Sequence, residues 1–457
     1  MTQDNFPYTI NRLPTKGLKS DPDDLIKKAI WAYFFLLFFE GALRKWVLPG
    51  LATPLLVVRD PIALWVIYQV WQRGIFPRSP YLNGMVVIGV LSIFTALFFG
   101  HGNLPVAIYG ARILLIHFPF MFAMGRILER EDVIKMGKVL LYISIPMALL
   151  IAMQFYSPQG AWVNRGIGGD MEGAGFSGAM GFRRPPGTFS FTNGNSLFFN
   201  FVACFVIYFW LNPKYINKIV LIAASGAVMM AIPLSISRGL FFSIGIALVF
   251  AVIGAVRNAK YTGKIIGAGM VLFLALAVLS QMEFFQTATA AFTNRFEVAN
   301  DSEGGLQGVL GDRYLGGMVT ALKSATDQSF FGFGVGMGTN VGSLLLTGGK
   351  TFLISEGEWG RVVGELGAVM GLGVIFIRLG LAFKFTILAF KKLQNADLLP
   401  WMLLSFGLLV MPQGQWAQPT SLGFSTLIGG LLFASLRRPK IVPPEQKISN
   451  QTVALTL

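Results

Sequence analysis

The sequence predicts an all-α, polytopic integral membrane fold with about twelve transmembrane helices and a large helical loop on the outer face. Three observations predict it. Strongly apolar stretches recur from end to end of the 457 residues. Lysines and arginines fall in alternate connections between them, the positive-inside pattern of a multi-pass chain. Hydrophobic residues make up 54% of the chain and charged residues 13%, with mean hydropathy +0.62, far less charge than a soluble chain carries. The net charge of +15 then comes from cytoplasmic connections and gives no reason to expect a nucleic-acid partner.

Taken in order, residues 1–28 are polar and basic (Arg12, Lys16, Lys19, Lys27, Lys28) and lack the short apolar core of a cleavable signal. The first span is therefore expected to act as an uncleaved anchor. On the rule that a crossing needs roughly 20 largely apolar residues, the transmembrane domain, 29–436, reads as a series of spans. They are Ala29–Leu48, Leu51–Trp71, Asn83–Phe99, Pro105–Gly125, Lys135–Phe155, Gly194–Leu211, Lys218–Leu234, Gly239–Val256, Lys264–Gln281, Trp359–Leu381, Leu399–Met411 and Ser421–Leu436. Basic connections at Arg73 and Arg78, Arg126 to Lys138, Lys214 and Lys218, Arg257 to Lys264, Lys384 to Lys392, and the tail 437–457 assign one face to the cytoplasm, with both termini.

The opposite face receives the short connections near His101, Ser235 and Gln415 and two long loops, 156–193 and 282–358. The second exceeds an ordinary connection and shows helical patterning over Phe284–Phe296 and Arg313–Ala325, so a small folded cap is expected.

This outer face should be poor in basic residues, yet it carries Arg165, Arg183, Arg184, Arg238, Arg295, Arg313 and Arg361, against only Lys45, Lys323 and Lys350. Arginine in preference to lysine points to planar, multidentate recognition of phosphate. Pairing with Asp170, Glu172, Asp301, Glu303 or Asp312 is the competing explanation. Arg238 follows Ser235-Ile236-Ser237 and opens a span, where free backbone N–H groups and the helix dipole favour an anion. Within the spans, Glu40, Arg59 and Asp60 read as an ion-pair network, and His117 as a core histidine bonded to a neighbouring helix. Arg112, with no adjacent acid in sequence, reads as a lipid-phosphate contact. Glu356 and Glu358 stand where the large loop re-enters the membrane and are the candidate acid–base residues; helix capping is the alternative. The run Gly332 to Gly338 lacks the Lys-Ser/Thr of a phosphate loop, so its glycines are expected to let the backbone turn closely. One cysteine, Cys204, offers neither a disulfide nor a metal cluster.

Several short motifs occur in a fixed order. Arg184-Pro185-Pro186-Gly187-Thr188-Phe189, with Asn193 and Asn195, precedes a span, and Ser237-Arg238-Gly239 makes a short outer turn. Asp312-Arg313-Tyr314 heads a loop helix, Phe331-Gly332 and Gly334-Val335-Gly336 form a glycine-rich return, and Glu365-Leu366-Gly367 follows the large loop. From about Arg183 to Gly367 this set resembles the O-antigen ligase and O-antigen polymerase superfamily of bacterial inner-membrane glycosyltransferases. Ligase-type members place a histidine nine positions before the glutamate of Glu-x-Gly, where this chain has Glu356. The block Phe39-Glu40-Gly41-Ala42-Leu43-Arg44-Lys45-Trp46 is similar to a branch associated with exopolysaccharide or repeat-unit polymerases.

The resemblance implies a GT-C-like fold and an inverting transfer, without metal or other cofactor, from a polyprenyl-diphosphate-linked glycan to a glycan acceptor at the outer membrane face. It implies that Arg238 and Arg313 bind the diphosphate, with Arg184 and Arg361 as further contacts. Glu356 would be the base or acceptor orienter, with Glu358 in reserve. Membrane lipids and a chain-length regulator are the remaining partners expected. A ligase transferring the glycan to lipid A core or protein would use the same donor chemistry. A flippase is the rival from another class, but it should gather polar residues near the midplane in two comparable halves, whereas this sequence gathers them at the outer face and shows no internal repeat.

Overall fold

The computed structural model describes residues 22–303, 329–349, 353–355 and 357–437, with the single positions 316, 319 and 323. The fold is all-α apart from one hairpin, and seven of the described helices are long and apolar enough to cross a membrane.

Helix α1 (Asp24–Ala42) continues into a π-helical turn, Leu43–Val47. The next segment departs from expectation. Leu51–Trp71 is not one span: two 3-10 turns begin at Pro49 and Pro54, and helix α2 covers only Asp60–Gln72, with a further proline in its first turn. Each proline removes a backbone donor, and 13 residues reach only about 20 Å at 1.5 Å per residue. The charged pair Arg59-Asp60 thus begins a short helix rather than lying along a long one.

Helix α3 spans Pro80–Phe98, and α4 (Leu104–Arg112) runs through the π turn Ile113–His117 into α5 (Phe118–Ile127). Pro119 cannot donate to the preceding turn, which accounts for the local widening. Helices α6 (Arg130–Tyr156), α7 (Thr192–Leu211), α8 (Lys218–Leu234), α9 (Arg238–Arg257) and α10 (Thr262–Leu279) match expected spans within a few residues. Helix α11 (Glu283–Glu303) covers the first helical pattern of the large loop; most of the second, including Arg313, lies outside the described residues. The chain continues through α12 (Asn340–Thr347), α13 (Glu358–Gln394), α14 (Leu399–Val410) and α15 (Pro419–Leu436).

Packing sorts these helices. The apolar windows of α4–α5, α7 and α15 are each 78% buried, whereas those of α3 and α9 are 28% buried, so the former make the core and the latter the rim. On α3 the exposed residues Val87, Val90, Leu91, Phe94 and Phe98 recur at helical spacing. Such an apolar stripe is unfavourable against water and suits lipid tails.

Helix α13 is not one rod. At Gly367 the backbone takes φ 77° and ψ 174°, a region essentially reserved for glycine. The chain reverses there: a Cβ on Gly371 would come within 2.8 Å of Val363 Cα. The expected span Trp359–Leu381 is therefore a short arm, 358–366, folded back on a long one, 368–394. The carbonyls of Gly364 and Glu365, freed by the break, accept from Phe333 N (2.8 Å) and Gly334 N (3.0 Å) of the glycine-rich run. Gly336, at φ 93°, packs so tightly on α4 that a Cβ would stand 2.2 Å from Val106 O. The expected close turn is thus a plug for the helix break.

Candidate functional site

The site is built first from the loop 156–193. Strands β1 (Phe176–Ala179) and β2 (Phe182–Arg184) form an antiparallel hairpin, turned by Met180 and Gly181, both at positive φ. Phe182 stacks on Phe155 at 4.4 Å, fixing β2 over the end of α6. Below it, Ile236 is buried with its side chain against Gly178 of the hairpin. Its φ of +47° is one a β-branched residue rarely adopts, so tertiary packing holds the Ser235–Arg238 turn in shape. Ser237 Oγ accepts from Leu240 N (3.3 Å) to cap α9 and bonds Ser196 Oγ of α7 at 3.1 Å. Arg238 is consequently the first residue of α9.

This construction brings Arg184 and Arg238 together and adds Arg295 from α11, which packs against α8 and β1. Burial, then the charges of Arg295 and Arg238, push the Arg184 guanidinium below its usual arginine value. Arg184 Nε is buried and, among the described residues, has no hydrogen-bond partner. Three like charges around a buried donor are unfavourable by themselves and suit a multivalent oxyanion. Arg295 was legible in sequence only as one of several outer arginines; its place beside Arg184 depends on how α11 docks.

A second set of contacts fixes the loop from the other side. Lys45 Nζ, fully buried, donates to Gly187 O (2.6 Å) and Phe189 O (2.9 Å). Arg44 donates to Ser190 Oγ (3.0 Å), and Thr188 Oγ1 donates to Phe38 O (2.5 Å). Trp46 stacks on Trp162 at 5.6 Å and donates to its carbonyl. The Phe39–Trp46 block therefore clamps the Arg184–Phe189 motif, a pairing with no signature in either stretch alone.

The remaining candidates are already engaged. Glu358 Oε1 accepts from Arg361 (2.9 Å) and Arg378 (2.7 Å), and Oε2 from Arg361 Nε (3.1 Å) and Trp416 N (3.0 Å). Two donors on each oxygen occupy the acceptor sites of the carboxylate and leave it badly placed to take a proton. Arg361 also donates to Glu365 (2.6 Å), whose other oxygen accepts from Gly338 N (2.8 Å). Arg378, which no sequence motif singled out, lies 3.9 Å above the Trp416 ring. The cavity beside this cluster offers only about 10 Å³, about one water's worth and far short of a diphosphate. Arg361 here braces the two acids of the short arm, Arg378 clasps that arm to the long one, and Arg361 does not reach the Arg184 cluster through any described contact.

Arg112, expected at lipid phosphate, instead grips both oxygens of Asp60 (3.0 and 2.8 Å), an acid 52 positions away. Asp60 also bonds His117 Nε2 (2.9 Å), whose Nδ1 meets Tyr33 OH at 3.3 Å. Glu40 pairs with Arg59 (3.0 Å) and Arg44 (3.4 Å). These are the buried ion pairs that satisfy intramembrane charge. Glu356 and Arg313 lie outside the described residues. Among the described residues no cluster of histidine, cysteine or carboxylate side chains could hold a metal ion. No family model matches this chain, and no curated protein matches it.

Proposed function

We propose that this chain is a bacterial inner-membrane glycosyltransferase that polymerises polyprenyl-diphosphate-linked oligosaccharide repeat units into a surface or exopolysaccharide at the periplasmic face. In this reading about twelve segments enter the bilayer and both termini are cytoplasmic. The observation that carries it is the convergence of Arg184, Arg238 and Arg295 around a buried, unpartnered guanidinium nitrogen, on the face that the charge alternation places outside.

In the reaction, an acceptor sugar hydroxyl attacks the anomeric carbon of the lipid-linked glycan. The bond from that carbon to the diphosphate oxygen breaks, the electron pair leaves with the polyprenyl diphosphate, and the hydroxyl proton passes to a carboxylate, assigned to Glu356. A diphosphate leaving group needs its developing charge met rather than a proton supplied, and preorganised guanidinium groups meet it. Arg313 joins this set in the reading, on the resemblance alone. A finished glycan moved to lipid A core or protein would use the same donor site with another acceptor.

The test is glycan transfer by purified protein in lipid, given polyprenyl-diphosphate oligosaccharide from the native host, with and without chelator. Longer lipid-linked products that disappear with Arg184→Ala, Arg238→Ala and Glu356→Gln support the reading. No transfer by folded wild type, with lipid-linked glycan crossing the bilayer instead, replaces it with a flippase.

A further inference from the structure

At the end of the bundle opposite the arginine cluster, five connections converge on one concavity. Arg130 comes from the start of α6, Lys214 from the turn after α7, Lys260 from the turn after α9, Lys392 from the end of α13, and Arg437 from just beyond α15. The cavity they line holds about 300 Å³, at the lower bound of small-molecule sites.

Its one acid, Asp397, is spent: Oδ2 pairs with Arg130 at 2.7 Å and Oδ1 caps Leu399 N at 3.2 Å. Among the described residues no carboxylate pairs with Lys214, Lys260 or Lys392, whereas Arg437 also feels the charges of Glu129 and Asp23 outside the cavity lining. The walls are braced by contacts among themselves. Tyr208 and Tyr215 stack at 6.3 Å, and Tyr261 OH donates to Ala396 O at 3.1 Å. Lys214 and Lys260 lie over the rings of Tyr215 and Tyr261 at 5.0 and 4.8 Å, so aromatic faces support their stems beside the cavity. Arg437 donates to Leu128 O at 3.2 Å and Gly125 O at 3.3 Å, at the carbonyl end of α5. That anchors one nitrogen of its fork.

A positive-inside bias explains basic residues scattered over a face. It does not explain a concave pocket with braced aromatic walls and a surplus of cations. We propose that this cavity binds a phosphate-bearing ligand, carried either by an anionic phospholipid headgroup or by a soluble diphosphate. Basic pockets between helix ends are suited to phosphate headgroups, and this volume accepts a phosphodiester but not a lipid-linked glycan. The proposal stands independently of the transferase reading, because the pocket and the arginine cluster lie at opposite ends of the helices.

The experiment compares the full chain in neutral detergent with a Lys214→Gln/Lys260→Gln/Lys392→Gln variant. A second variant, Lys135→Gln/Lys218→Gln/Lys391→Gln, removes equal charge from exposed positions of the same face outside the cavity. Binding of phosphatidylglycerol, cardiolipin, phosphatidylcholine and inorganic pyrophosphate is titrated, with unfolding temperature recorded for each protein. The pocket variant should bind the phosphate ligand at least about tenfold more weakly, while the control stays near wild type. Anionic lipid bound in preference to phosphatidylcholine, with pyrophosphate ignored, identifies a headgroup; pyrophosphate binding identifies a soluble source. Equal losses in both variants, or no saturable binding by wild type, overturn the proposal.

Discussion

Arg378 donates to Glu358 at 2.7 Å although twenty positions of α13 separate them. A straight helix would hold them about 30 Å apart. The contact exists because the chain doubles back at Gly367, and the ion pair locks the two arms together. Arg361, Glu365 and Trp416 complete that lock, so the Glu-x-Gly motif acts here as a hinge sealed by charge.

Gly367→Ala should therefore be among the most damaging single substitutions. A Cβ there would lie 2.1 Å from Phe330 O on a backbone at φ 77°. Strain alone is about 1–3 kcal/mol, and the clash adds to it. Gly348→Ala is the contrast, since its φ is 74° with nothing within 4 Å of the added atom; its cost should be the backbone strain alone, about 1–2 kcal/mol. Thermal unfolding of the two variants in one detergent compares them directly.

Glu358→Gln removes one charge from between two buried cations. Breaking such a cluster destabilises by roughly 3–5 kcal/mol, so the variant should unfold at markedly lower temperature and lose transfer with it. A variant that keeps wild-type stability yet transfers nothing would instead place Glu358 in the chemistry.

The arginine cluster predicts the reverse split. Arg184→Ala or Arg295→Ala should leave stability unchanged or raise it, because each relieves like-charge repulsion at Arg184. Transfer should fall about a hundredfold if the cluster meets leaving-group charge. Both readouts come from the same purified samples.

Lys45→Met should loosen a loop rather than the whole molecule. It leaves Phe189 O without its 2.9 Å partner, while Gly187 O keeps the donor Gln154 Nε2 at 3.1 Å, so the cost is about 1–3 kcal/mol for one unsatisfied carbonyl. Backbone amides over residues 185–190 should then exchange faster in hydrogen–deuterium exchange, with the α5–α15 core unaffected.

Much of this was legible in the chain. Helix existence followed from apolar length, and the α6 to α9 boundaries fell within a few residues of those expected because a single cap or charged turn ends each. Pairing of Glu40 with Arg59 was readable because both signs lie at similar depth. What stayed hidden depends on distant partners. Arg112 found Asp60 across 52 positions, and Arg378 reached Glu358 only through a reversal that one glycine permits. The short α2 was signalled by Pro49, Pro54 and Pro61, which outweigh the apolar character of the stretch around them.

The Lys45 clamp has a consequence for biogenesis. The carbonyls that receive its ammonium belong to residues made about 140 positions later, after several further helices have emerged from the ribosome. Until then the first helix carries an ammonium with no protein acceptor, in a segment otherwise suited to lipid. The early helices must therefore be sheltered, by the insertion machinery or by water, until the Gly187–Phe189 stretch arrives. Nascent chains cut short before Gly187 should be substrates for membrane quality control, and those extended past α7 should escape it.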